Sequence, residues 1–451
     1  MKNKFMKWMR LTIAILFVSV ASSLFGSAQA NTTEAPAKAL QLLIDNAMPG
    51  DTIVLEDGKY LGPAIINKQL TIKGSRHTVV TADGKPTVID IRSNQVAIEG
   101  ISIVQRLAGD SSAIIVNSDH VSLDNLSIET RGFGILLRNA NEGIIKNNRI
   151  VWSGANNNER ASMSKKNNGI DLYDSHDNRI EANEISDMRD GIYLENSHRS
   201  NVANNLIYRS RYGIHCMYTD GTRIIGNQGE YNVTGAMIMG VRDAVVSNNS
   251  FRKQSENVNS QGLLLFDVQT SLIEDNVVEG NRVGIYMEQS SNNELRNNSV
   301  LRNFMGIQFL ESSDNRFNHN QLIANVIEAE ALESSGNRLD SNYWDSVQGL
   351  DVNDDGLSDI SYAINPFYQR LIQKTPAFQL FFQSPGMIYL SNLFMNDKDN
   401  WATDRTPLMS LPPALADRTN LPQETRSYVW IASLILLSAS LTIIYKGVHR
   451  K

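Results

Sequence analysis

A single cysteine, Cys216, stands in 451 residues, so no disulfide can form within the chain and the fold must be held by other means. Excess positive charge is also missing: 42 Lys and Arg face 48 Asp and Glu, for a net charge of −6. Phosphate binding wants a basic surface, so this balance argues against nucleic acid as a partner. There is no leucine ladder of the kind that marks leucine-rich repeats. What the chain has instead is a regular recurrence of glycine, asparagine and apolar residues.

The two ends read as targeting segments. Lys2, Lys4, Lys7 and Arg10 precede an apolar run from Leu11 to Val20, and Ala28-Gln29-Ala30 offers a small-x-small cleavage site, the pattern of a secretory signal peptide over residues 1–30. At the other end residues 428–445 are uncharged and mostly apolar; at about 1.5 Å per residue they reach roughly 27 Å, nearly a bilayer core. A single transmembrane tail is expected there, with a buried core helix as the alternative. Lys446, Arg450 and Lys451 follow it, so residues 446–451 are expected in the cytoplasm and the rest outside, anchored in the inner membrane.

Between the ends runs a period of 22. Gly169, Gly191, Gly213, Gly235, Gly262, Gly284 and Gly306 are separated by 22 residues except for one step of 27. The same steps recur in Asn183, Asn205, Asn227, Asn249, Asn276, Asn298, Asn320 and Asn342, and in an apolar column from Ile180 to Leu339. Short alternating apolar pieces broken by Gly, Asn, Asp and Ser mean strands and turns, and 22 residues are too few for a propeller blade. The spacing predicts an all-β chain wound as a right-handed parallel β-helix over 66–345, equal positions stacking about 4.8 Å apart. The asparagine column is then either a ladder of stacked amides or a set of turn residues tolerating left-handed angles. An N-terminal helical cap is expected over 31–65, an irregular or helical segment over 346–410, and a proline-rich linker over 411–427. Thirteen extra residues between Gly134 and Gly169 form a polar loop-out.

Strand side chains alternate, so the residue after each repeat glycine and the one two further on share a face. These are nearly all apolar and read as interior, which makes Cys216 a small buried hydrophobe. The opposite face carries His215, Met217, Met237 and Met239 as a two-by-two patch expected to face solvent. Imidazole with thioether suits copper(I), a soft ion; a hydrophobic docking strip continued by Leu264 and Phe266 is the other account. His176, His198 and Asp220 stack in a separate turn column. Asp351, Asn353, Asp355 and Asp359, with Gly356 at the sixth position, place oxygens where hard-cation loops have them, so structural calcium is expected there. An acidic solvated turn is the alternative, and Tyr362 in place of Glu at the twelfth position speaks against an EF-hand. Beyond Pro366 the period stops, and a bulky apolar stretch including Phe381 and Phe382 is expected to pack on the coil end or to dock on a membrane partner.

An exported coil with "DGIYLENSH", "YGIHCMYTD" and "SNYWDS", followed by the aspartate-rich loop, "TPAFQLFFQSPGMIYL" and "DRTPLM", resembles the NosD family over about residues 39–409. The resemblance implies a periplasmic maturation factor of nitrous oxide reductase, working with an ABC permease and its ATPase, and with a copper chaperone, at the copper-sulfide centre. It supplies no copper contacts, and Cys216 stands where relatives often carry an aromatic residue. The function expected is therefore non-catalytic metal handling or client docking, copper being transient. A carbohydrate-active β-helix enzyme, a polyuronate lyase or epimerase, is the alternative; it would need paired carboxylates or a calcium-and-arginine cluster on an outer strand, and Asp171 and Glu195 are one coil apart.

Overall fold

The computed structural model describes residues 37–154, 162–254, 260–364, 374–381, 384–393 and 401–411, with the single positions 367, 371 and 440. Among them no helix is long and apolar enough to cross a membrane. The expected signal peptide, most of the linker, the tail 428–445 apart from Ser440, and Phe382 lie outside the described residues.

Three sheets of 14, 12 and 15 strands run along the coils, each coil contributing one strand to each sheet, and the pairing is parallel except where Tyr362–Ala363 meets Thr403–Asp404 antiparallel at the end of the third. The register is the 22-residue period made spatial. Ile192 pairs with Ile214, Ile214 with Ala236, Ala236 with Leu263, Leu263 with Ile285 and Ile285 with Ile307. The inward residues of all three sheets form one continuous apolar column from Leu40 to Ile364. Glycine recurs because coils approach closely at that point: a Cβ on Gly191 would meet the carbonyl oxygen of Gly213 at 2.7 Å.

The asparagine column is an amide ladder. The Nδ2 of Asn205 donates to Oδ1 of Asn227 at 2.9 Å, and that of Asn227 to Oδ1 of Asn249 at 3.0 Å; each Oδ1 also accepts the backbone N–H of the asparagine one coil earlier. The left-handed angles belong to the preceding residue in each coil: Ala182, Asn204, Gly226, Asn248, Asp275, Asn297, His319 and Ser341 all have φ between 53° and 67°. Turn chemistry and ladder chemistry are thus divided between two adjacent columns.

Both open ends of the column are covered. Helix Leu40–Asn46 lays Leu40 and Ile44 onto the first coils, fully buried, and Lys68 Nζ donates to the carbonyl of Ala47 at its end. At the far end strand Thr403–Asp404 returns to pair beside Leu339. There the buried Asp404 accepts from Asn342 Nδ2 at 3.0 Å and Trp344 Nε1 at 2.9 Å, which ends the ladder without an orphaned amide. The expected apolar C-terminal stretch forms a short 3-10 helix, Pro376–Phe381, and helix Pro385–Leu393. Met387 is buried, while Phe381, Tyr389 and Leu393 are each more than half exposed.

One buried acid lies at the edge of the 12-stranded sheet. Glu330, in strand Ile327–Leu332, is 1% exposed, accepts one bond from Gln308 Nε2 at 2.9 Å, and leaves Oε1 with no partner. Burial pushes its pKa from 4.5 to about 7. The folded state therefore holds a proton that the unfolded chain releases first, and stability falls as pH rises from about 4.5 to about 7. Glu330→Gln, neutral at every pH, is expected to remove that fall and to stabilise the protein at pH 8 by at most about 3 kcal/mol. Unfolding midpoints of both proteins across this range measure it, and parallel pH curves would refute it.

Candidate functional site

The outer face of the 12-stranded sheet is set by strands Asp190–Glu195, Tyr212–Met217 and Thr234–Arg242. Pairing places His215 beside Met237 and Met217 beside Met239, the two-by-two arrangement expected from alternation. Leu264 and Phe266 follow in register on the next coil, both half-buried. Cys216 points the other way and is fully buried; burial pushes its thiol up to about 12, so it is an inert part of the core.

The expectation that all four side chains face solvent is corrected. His215 is 6% and Met237 9% exposed, whereas Met217 and Met239 are half-buried. The cause is the size of the neighbours. Tyr193 and Tyr212 meet the imidazole edge-on, with ring centroids at 4.9 and 4.8 Å, and close over it.

What holds His215 is a residue the period does not single out. Asp190, one coil back and 1% exposed, places Oδ2 3.1 Å from His215 Nδ1 and accepts from Arg211 Nε at 2.8 Å and Nη2 at 2.6 Å. Burial pushes the Asp190 carboxyl up, but the bonds from His215 and Arg211 and the guanidinium charge outweigh it and hold the carboxyl below its usual range. Arg211 also lies over the Tyr212 ring at 4.4 Å. The only sequence signal for Asp190 was its place just before a repeat glycine, a separation from His215 of one coil plus three residues.

This arrangement decides which nitrogen is available. In the neutral ring, with Nδ1 as the donor to Asp190, the lone pair is on Nε2, and Nε2 is buried without a hydrogen-bond partner. A carboxylate behind a histidine is how metal-binding imidazoles are oriented and made more basic. An orphaned nitrogen beside thioethers is a donor set suited to a soft monovalent ion. Nearby, the Tyr193 hydroxyl lies 2.7 Å from Glu195 Oε2 and 3.4 Å from Met217 Sδ.

The other sequence candidates are spent on structure. His176 and His198 stack with centroids 5.2 Å apart, and each Nδ1 accepts a backbone N–H from the next coil, from His198 and Asp220. In the aspartate-rich loop, Asp351 accepts from the N–H of Asp355 and Gly356, Asp355 from Leu357, and Asp359 from Val352. Among the described residues no three His, Cys, Asp or Glu groups gather as a metal set; the structure does not bring Asp351, Asp355 and Asp359 together, and Asn353 bonds Asp355. Asp171, one of the carboxylates a sugar enzyme would draw on, is held by Arg138 at 2.8 Å and Asn168 at 2.7 Å. Burial pushes its pKa up in spite of both.

Comparison with known proteins bears on the family and on the coil. Residues 153–355 match the family model of NosD, described as a periplasmic copper-binding protein, and residues 67–229 match that of the right-handed β-helix region. No curated protein matches the chain. Among solved structures it is similar to the alginate lyase AlyF-OU02 complexed with G6, at 12% identity and a TM-score of 0.52 over 67% of this chain and 84% of that one. It is similar also to the A-module of mannuronan C-5 epimerase AlgE6 from Azotobacter vinelandii, at 12% identity and a TM-score of 0.50 over 66% and 93%. The family 28 exopolygalacturonase of Yersinia enterocolitica gives 11% identity and a TM-score of 0.50 over 66% and 74%. At such identities these likenesses show the coil architecture alone.

Proposed function

From a chain that is a NosD-like β-helix protein, we propose a non-catalytic periplasmic maturation factor that carries copper(I) as cargo. His215 Nε2 and the thioethers of Met217, Met237 and Met239 receive the ion, and Asp190 orients the imidazole. The single observation behind this is the buried, partnerless Nε2 of His215 with Nδ1 already satisfied. Burying a polar atom unpaired is costly, and a metal ion supplies the missing partner. Half-buried Leu264 and Phe266, with exposed Phe381, serve as docking surface for the client reductase or the permease. An ABC permease and its ATPase, nitrous oxide reductase and a copper chaperone are the partners this role requires.

The test is copper(I) competition against a chromophoric chelator with the full-length protein, followed by X-ray absorption of the loaded sample. One tightly held copper ion with mixed nitrogen and thioether scattering is expected, and Cys216→Ala should leave it unchanged because that sulfur faces the core. Nitrogen-and-oxygen scattering alone, or no competition with the chelator, would overturn the assignment.

A further inference from the structure

The donor nitrogen of His215 is shut in as the site stands. Its Nε2 is buried and partnerless, so an ion reaches it only after a neighbour moves. Two rings meet the imidazole, and they are held differently. Tyr212 lies beneath the Arg211 guanidinium, whose Cζ is 4.4 Å from the ring centroid, and Arg211 is itself fixed to the buried Asp190 by two hydrogen bonds. Moving Tyr212 breaks into that cluster. Tyr193 stands one coil back, paired in register with His215; beyond its edge-on contact at 4.9 Å, its half-buried ring is secured at the hydroxyl. That hydroxyl has one proton and two acceptors in reach, Glu195 Oε2 at 2.7 Å and Met217 Sδ at 3.4 Å. The short bond to a carboxylate wins over the long one to a neutral sulfur, which leaves the Met217 lone pairs free for a soft ion.

We infer, resting on the copper(I) reading above, that Tyr193 is the door of this site and Glu195 its latch, two positioning residues that set how fast the ion enters and leaves. Rotation about the Tyr193 side-chain bonds lifts the ring from the imidazole and leaves the strand pairing intact. Because the latch is made both before and after the ion enters, its strength governs the two rates and cancels from the affinity. The same tyrosine-to-glutamate bond recurs four coils on, from Tyr286 to Glu288 Oε2 at 2.8 Å, but the coil after it presents Gln308 in place of a histidine. There the bond has no donor nitrogen to guard.

Carbethoxylation of the metal-free full-length protein with diethyl pyrocarbonate, mapped to single histidines by mass spectrometry, reads the door without copper. Exposed His120 should react alike in every variant, and His215 slowly in the parent. Tyr193→Phe, which keeps the ring and loses the latch, should speed the reaction of His215 about tenfold, the worth of a hydrogen bond to a charged acceptor. Glu195→Gln, which keeps an acceptor and loses the charge, should speed it less. Tyr286→Phe loses an equivalent bond elsewhere on the same sheet and should leave the His215 rate within about twofold. In the copper(I)-loaded protein, transfer to excess chelator should also be about tenfold faster in Tyr193→Phe, at an affinity within about threefold of the parent. Unchanged His215 reactivity in Tyr193→Phe, or an equal rise in Tyr286→Phe, would overturn the door and latch. A parent that takes up no copper(I) overturns the cargo reading instead, and the carbethoxylation rates still decide whether Tyr193 closes the site.

Discussion

Asn227→Ala is expected to destabilise the coil stack by roughly 4 kcal/mol, at the upper end of single-residue effects. In the native protein Asn227 Oδ1 accepts from the backbone N–H and Nδ2 of Asn205, and its own Nδ2 donates to the carbonyl of Val202 and to Asn249. Truncation strands the Asn205 donors and the Val202 acceptor inside the coil with no water to replace the partner. Each such group costs about 1–3 kcal/mol. Asn201→Ala is the control: that half-buried amide bonds only the Glu181 carboxylate, and its loss should cost about 1 kcal/mol or less. Because repeat arrays can unfold in stages, amide hydrogen exchange at the central coils should accompany denaturant unfolding. If both variants lose the same small amount, the ladder is not what holds successive coils together.

The ladder was legible because it repeats. Three columns keeping one period, including the shared step of 27, determine which residues stack, and alternation determines which face each side chain takes; the pairing of His215 with Met237 follows from these two facts. Depth does not follow from them. Alternation says that His215 leaves the core, but whether it reaches water depends on Tyr193 and Tyr212, whose rings close over the imidazole. Asp190 was missed for a related reason, since its contact to His215 runs diagonally between coils and no column displays it. Asp404 lies 62 residues from the asparagine it caps, beyond the end of the period, where sequence spacing carries no register. The aspartate-rich loop shows the opposite limit. Oxygens at positions 1, 3 and 5 suit a cation, yet the same spacing lets carboxylates fold back on their own loop's N–H groups, as Asp351 and Asp355 do.

The largest functional effect is expected from His215→Ala, which removes the only imidazole of the patch and should lower copper(I) affinity at least about a hundredfold, roughly 2.7 kcal/mol or more. Loss of affinity there would not by itself separate a metal site from an apolar docking strip, since a truncated ring also disturbs Tyr193 and Tyr212. The triple change of Met217, Met237 and Met239 to leucine separates them. Leucine keeps the volume and apolar character at a cost usually under about 1.5 kcal/mol each, but it carries no sulfur. A docking strip would retain its partner after that change, whereas a copper site would lose its ion as completely as with His215→Ala. Asp190→Asn supplies the graded case: the oxygen facing Nδ1 is kept and the charge is lost, so affinity should fall about 10–100-fold, as for other residues that act through a metal-binding histidine. X-ray absorption of that variant should still show nitrogen and thioether neighbours, which a general collapse of the site would erase. If the leucine triple binds copper(I) as tightly as the parent, the thioethers are not ligands, and the patch is left as an apolar contact surface with a histidine buried in it.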